Sequence, residues 1–234
     1  MVRLFSPKET IESCIQPYRE ALEIEYPISY FFNDNRSYYA STSSDEKVHY
    51  ISFDPALTFS DIGHKIIPSR FAITGDEDKL VNLITALCNL HLNEKIDGIL
   101  SPLNVEGNNF AANYFSMLHN LTVSIWCEDL LYKHWPDLFA VRYRLDNEVM
   151  RECINGLKRN EVYTEEGYML LLNAACTRAA SKRHNHNLND EQDAFAFAQY
   201  RFPSQMKGMR PLIELWSSLP VISYDARNDV KQYE

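Results

Sequence analysis

Glycine is scarce in this chain, with 7 residues among 234. Phosphate cradles need glycines where backbone amides approach a ligand, and neither G-x-G-x-x-G nor the P-loop spacing occurs. Long apolar runs are missing too. The oiliest stretch, residues 80–92, is interrupted by Asn82, Asn89 and His91 and falls short of the ~20 residues a bilayer requires. The start, Met1-Val2-Arg3-Leu4-Phe5-Ser6-Pro7, has neither the apolar segment nor the small-residue cleavage site of a signal peptide. Cysteine is limited to Cys14, Cys88, Cys127, Cys153 and Cys176, an odd number, widely scattered, each in an apolar segment. No two are spaced as a zinc knuckle or redox pair, so buried thiols in a reducing, cytoplasmic setting are expected.

Positive charge is in the minority. Lys and Arg number 23 against 32 Asp and Glu, for a net charge of -9 and a pI of about 5.3. Such a chain is repelled by phosphate backbones unless a local basic patch intervenes. The densest basic stretch, residues 178–183 followed by His184 and His186, falls at the end of an expected helix, where cations complement the macrodipole. Nucleic acid is therefore not an expected partner; Arg178, Lys182 and Arg183 are the residues that would carry it. There is no G-x-S-x-G elbow, and no cysteine sits beside a helix start or basic cluster that would lower its pKa. His184-Asn185-His186 is a polar turn between helices and not the ββα element of an HNH nuclease. Glu77-Asp78-Lys79 opens a helix, where acidic residues suit the dipole. No cofactor and no metal are expected.

What is present reads as α+β. Ser6-Pro7-Lys8-Glu9 is a capping box with proline at the first helical position; the helix after it kinks or restarts at Pro17. Ile28–Phe32, residues 37–40 and Val48–Phe53 are rich in aromatic and β-branched residues. Separated by Asn33-Asp34-Asn35 and Ser43-Ser44-Asp45-Glu46, they predict a three-stranded antiparallel meander with two turns. A short helix is expected over 59–67, and another after Thr74-Gly75-Asp76 with Leu80, Leu83, Ile84, Leu87 and Leu90 on one face. Two more carry Phe110, Tyr114 and Leu118, then Trp126, Leu130 and Leu131. Phe139, Val141, Tyr143 and Leu145 alternate with Ala140, Arg142 and Arg144, which predicts a strand. Asp146 would then cap a helix with Met150, Cys153, Ile154 and Leu157 inward. Helices from Thr164, over 190–200 and over 204–216 follow. The fold expected is a small N-terminal antiparallel sheet of about three strands on a mainly helical body. It would comprise an α+β domain over 1–136 and a mainly helical region over 137–234, either separate or part of the same domain.

One segment has a recognisable pattern. Thr58-Phe59-Ser60-Asp61-Ile62-Gly63-His64-Lys65 follows a strand and opens a helix. It resembles the H-E-x-x-H helix of zincin-type metallopeptidases, in which two histidines one turn apart hold zinc and the glutamate activates water. Ser60 stands in place of the first His, Asp61 in place of the Glu, and His64 in place of the second His. Residues 81–93 are similar to the helix that supplies an acidic third ligand in zincin-like domains associated with von Willebrand A-like domains, with Cys88 near the acidic position. The resemblance covers residues 27–102 and implies a pseudo-enzyme that keeps the scaffold and has lost the ligand set. The same residues also read simply as a capped helix, with Thr58 and Asp61 as caps and His64 as an ordinary histidine. A metal-dependent hydrolase with a non-standard site would draw on His64, Asp61 and His91, with Glu94 and Asp97 beyond.

Aromatic residues are plentiful, 14 Tyr, 12 Phe and 3 Trp, and Tyr26, Tyr30, Tyr38, Tyr39 and Tyr50 concentrate around the expected sheet. One face of such a sheet packs on helices and the other is wet or covered by a partner, and tyrosine is favoured at interface hot spots. Ordinary cross-strand packing accounts for the same cluster. Tyr30, Tyr38, Tyr39 and Tyr50 are the candidate docking residues. The function expected is a non-catalytic binding or regulatory protein acting through a protein partner or self-association, with no membrane. The alternatives are the metal-dependent hydrolase and a structural subunit of a larger assembly.

Overall fold

A computed structural model of the chain describes residues 7–32, 40–45, 47–53, 76–96, 109–159, 165–188 and 191–221. In chain order these form α1 (Pro7–Ala21), β1 (Ile28–Phe32), β2 (Ala40–Asp45), β3 (Val48–Phe53), α2 (Asp76–Lys95), α3 (Asn109–His134), α4 (Pro136–Arg159), α5 (Glu165–Arg183), α6 (Glu191–Arg201) and α7 (Pro203–Ser217). A small sheet with a mainly helical remainder is α+β, as expected. Among the described residues no helix is long and apolar enough to cross a membrane. Cα packing divides the chain into two units, one of residues 1–99 with 130–141, the other of 100–129 with 142–234. The expected boundary at 136/137 falls at the start of α4.

The first unit holds the sheet. Its order is β1-β3-β2, which corrects the antiparallel meander. β2 pairs antiparallel with β3, but β1 pairs parallel with β3, from Ile28 opposite His49 to Phe32 opposite Phe53. β3 suits the centre because one of its faces is buried, at His49 and Ile51. The second strand in chain order is Ala40–Asp45, so Ser43-Ser44-Asp45 is strand and not turn. Serine-rich sequence signals turns, yet a strand held by main-chain pairing at a sheet edge needs little apolar content. Residues 37–39, the turn expected at Asn33-Asp34-Asn35 and the helix expected over 59–67 lie outside the described residues.

α1 runs through Pro17 as one helix. It ends with Glu23 at φ 51°, where Ile24 N–H bonds Arg19 O at 3.2 Å and Glu23 N–H bonds Glu20 O at 3.0 Å. That is a Schellman cap, with glutamate where glycine is usual. α2 is buried on nearly every side, with Val81, Leu83, Ile84, Leu87, Cys88, Leu90 and Leu92 all almost inaccessible. The single stripe expected from its spacing is therefore too narrow.

The second unit is a helical cluster. Its core joins Ile125 of α3, Met150, Cys153, Ile154 and Leu157 of α4, Leu171, Leu172, Ala175 and Ala179 of α5, Phe195 and Ala198 of α6, and Met206, Met209, Ile213 and Trp216 of α7. The small residues Ala174, Ala175, Ala179 and Ala180, all buried, let α5 approach its neighbours closely. Trp216 donates its ring N–H to Thr122 Oγ1 at 2.9 Å, so its one polar group is satisfied inside the core.

Two more expectations are corrected here. The helices expected around Tyr114 and Trp126 are one 26-residue helix, α3. The strand expected over 139–145 is part of α4, and Asp146 lies buried inside that helix instead of capping it. Phe139, Asp146, Met150 and Cys153 are buried at helical spacing. Arg142 reads from sequence as an outward position, but its side chain is mostly buried and pairs with Glu128 at 2.9 Å. A buried ion pair on the inward face disguises the helical period as an alternation.

Candidate functional site

In the first unit, polar side chains converge from β2, β3, the last turn of α2 and the α1–β1 connection. Glu94 of α2 is buried. Its Oε1 accepts the backbone N–H of Glu25 at 2.8 Å and its Oε2 that of Tyr26 at 3.2 Å. Oε2 also lies 3.0 Å from His49 Nε2. The other ring nitrogen, Nδ1, is 2.8 Å from Ser44 Oγ, and Ser44 is the cross-strand neighbour of His49 in the sheet register. The Tyr26 ring sits against the imidazole, with centroids 5.4 Å apart.

Electrostatics sets the direction of these bonds. Burial works to raise the Glu94 pKa, but the amides of Glu25 and Tyr26 and the His49 ring outweigh it and hold the carboxyl below its ordinary value. Burial lowers the His49 pKa despite the hydrogen bond and charge of Glu94, so the imidazole is neutral near pH 7. An ionised carboxylate only accepts hydrogen bonds, so Nε2 carries the ring proton and Nδ1 presents its lone pair to the Ser44 hydroxyl. The chain of donors runs from Ser44 through His49 to Glu94. The same carboxylate ties down the connection leading into β1. Arg19 does likewise, with Nε donating to Ile24 O at 3.2 Å and Nη2 to Tyr26 O at 3.0 Å.

The residues singled out from sequence fall unevenly around this centre. Ser60, Asp61, His64, Asp97, Tyr38 and Tyr39 lie outside the described residues. Cys88 is fully buried in α2 and burial pushes its thiol pKa up, which leaves it the character of a small apolar side chain. His91 is buried one turn before Glu94; burial lowers its pKa, against a hydrogen bond with the Leu22 backbone that raises it. Tyr30 is half-buried, and burial is the largest influence pushing its hydroxyl up to about 12. Tyr50 lies on the opposite face of β3 from His49 and Ile51, its ring 5.6 Å from that of Phe31, which is 52% exposed. Among the described residues, no three His, Cys, Asp or Glu side chains are grouped to hold a metal ion.

Sequence reasoning missed His49 and Ser44, and placed Glu94 only as a distant metal candidate. His49 reads as one polar position in an aromatic strand, and Ser44 as a turn residue. The available signal is register: pairing of Asp45 with Val48 sets Ser44 opposite His49, and one residue of slip would turn both to other faces. Nothing in the spacing announces Glu94, which is 45 residues from His49.

The second unit has buried polar groups of another kind. Arg142 donates to Glu128 Oε1 at 2.9 Å and its Nε lies 3.1 Å from Asp146 Oδ1. Arg183 grips Asp129 with two bonds of 2.6 and 2.7 Å, and its Nη1 reaches the carbonyls of Ser217 and Leu219. Lys182 pairs with Glu214 at 2.7 Å, and the Arg178 guanidinium lies 4.5 Å from the centre of the Phe195 ring. The three cations that would carry nucleic-acid contact are thus each engaged in the fold, with Arg183 joining α3, α5 and the end of α7. Compared with protein-family models, curated proteins and solved structures, the chain shows no match.

Proposed function

We propose that the protein is a binding or regulatory protein acting through a protein partner, with the sheet face bearing Phe31 and Tyr50 as its docking surface. The observation that carries this reading is the aromatic pair itself. Phe31 is 52% exposed and packs at 5.6 Å on Tyr50, and in the order β1-β3-β2 its strand stands at the edge. A half-exposed phenylalanine beside a tyrosine supplies large apolar area with a polar tip, the composition favoured at interface centres. Descent from a zincin-type domain with its ligand set lost belongs to the same reading, since a scaffold can outlive its reaction.

The test is capture from the native host with mass spectrometry of what co-purifies, comparing the wild type with Phe31→Ala and Tyr50→Ser. Loss of the same specific partner from both variants, with unchanged circular dichroism, is expected. Identical recovery from all three removes this surface. Stoichiometric zinc in the purified protein would replace the reading with the metal-dependent hydrolase.

A further inference from the structure

We propose that Ser44 is an acyl-accepting nucleophile, with His49 as its general base and Glu94 as the group that orients the base. This activity goes beyond the binding reading and does not depend on it, because Ser44 shares the face of His49 and not that of Phe31 and Tyr50.

Three observations carry it. The first is connectivity: 2.8 Å from Ser44 Oγ to His49 Nδ1 and 3.0 Å from His49 Nε2 to Glu94 Oε2, which is nucleophile to base to orienting acid. The second is rigidity. Glu94 is fixed by the backbone amides of Glu25 and Tyr26, so the imidazole is held with its lone pair toward the hydroxyl, as activation of a serine requires. The two ring nitrogens exchange the parts they play in serine peptidases, and either can serve as base when the other is held by a carboxylate. The third is a gradient of access. Glu94 is 8% exposed and His49 1%, whereas Ser44 is exposed; a substrate reaches the nucleophile before the supporting groups. β2 stands at the sheet edge, and alternate N–H groups of an edge strand point away from its partner, where they can receive an oxyanion.

The substrate class is a neutral carboxylic ester. Glu94 places a negative charge directly behind the imidazole, which disfavours phosphoryl and other anionic acceptors. Ser44 Oγ adds to the carbonyl carbon while its proton passes to His49 Nδ1. The carbon–oxygen bond to the alcohol breaks, and the departing alcohol takes that proton from Nδ1. Water then adds to the acyl-serine carbonyl, giving a proton to Nδ1. The bond to Ser44 Oγ breaks, the serine recovers the proton, and a carboxylic acid leaves.

The experiment treats the full chain with a fluorophosphonate probe and with p-nitrophenyl acetate, and maps adducts by peptide mass spectrometry. One adduct on Ser44 is expected, absent in Ser44→Ala. His49→Gln should slow labelling by about 100-fold or more, the usual value of a positioned base. Should His49→Gln fail to fold, Ser44→Cys keeps the test open, since it changes a single atom of an exposed residue. His49 then makes that thiol react with iodoacetamide at pH 6 faster than it does in urea-unfolded protein. A folded wild type with no adduct on Ser44, equal labelling in a folded His49→Gln variant, or a Ser44→Cys thiol no faster than unfolded overturns the proposal.

Discussion

Arg142 is one cation set between two carboxylates, and solvent reaches little of any of the three. Burial pushes the pKa of both Glu128 and Asp146 up, against the pull of Arg142. The group therefore favours holding a proton rather than carrying a net negative charge. Glu128 Oε2 is buried with no hydrogen-bond partner among the described residues, which leaves Arg142 the main source of compensation. Arg142→Met removes it, and breaking a buried pair by deleting one partner costs about 3–5 kcal/mol. Sign and window follow from the raised pKa values: the protonated carboxyls are favoured by the fold, so the loss is fully felt at pH 7 and shrinks toward pH 5. Urea unfolding of wild type and variant at both pH values checks this, and an equal loss at both would contradict it. Glu94→Gln is the residue-scale counterpart in the first unit. It keeps the shape and removes the charge that three donors share, so a loss of about 1–3 kcal/mol is expected by urea unfolding at pH 7.

At the scale of elements, two glycines with the same helical setting have opposite prospects. Gly208 on α7 is exposed, and an added Cβ meets nothing within 4 Å. Gly208→Ala should stabilise by about 0.5–1 kcal/mol through helix propensity alone. At Gly156 on α4 a Cβ would come 2.5 Å from Leu170 Cδ1, and Leu170 is itself buried. The same propensity gain is offset by overpacking of about 1–3 kcal/mol, so Gly156→Ala should be neutral to destabilising. The melting temperature should rise for Gly208→Ala and not for Gly156→Ala; equal rises would mean that Leu170 has room to turn away. The caps make a similar contrast. Asn185 holds φ 56° after α5, with His186 N–H bonded to Ser181 O at 2.9 Å, and asparagine tolerates that conformation. Glutamate at Glu23 does not, so Glu23→Gly at the end of α1 is expected to raise the melting temperature.

For the whole molecule, four buried or half-buried histidines add to one pH response. Burial is the first cause lowering the pKa of His49, His91, His134 and His184, the last from 6.5 to about 4. The folded chain then binds fewer protons than the unfolded chain below the ordinary histidine value. The stabilisation is complete above about pH 6.5 and is lost as pH falls toward 4. Glu94, held low, extends the loss below the ordinary carboxylate range, while Glu128 and Asp146 oppose it. Urea midpoints should therefore fall between pH 7 and pH 5, with His184→Gln flattening the slope by up to about 1.4 kcal/mol per pH unit. A midpoint that is flat over this interval would show the histidines to be better solvated than their burial implies.

Local order along the chain settled a good deal of this protein. Helix-forming periodicity and proline punctuation located α1, α6 and α7 closely, and aromatic and β-branched residues marked β1 and β3. The spacing of five cysteines argued against knuckles and redox pairs, and Cys88, Cys127, Cys153 and Cys176 are all buried and outside any disulfide. These signals are legible because each depends on neighbours within a turn or a strand. Tertiary structure decided the rest. It set the parallel pairing of β1 with β3, the helical state of 139–145, and the meeting of Ser44, His49 and Glu94. Strand order depends on which face is buried, the period of α4 is hidden by a charge that finds its partner 14 residues away, and a carboxylate 45 residues from its histidine carries no local mark of it. Pairings between distant residues are chosen by burial, and burial does not exist until the chain has folded.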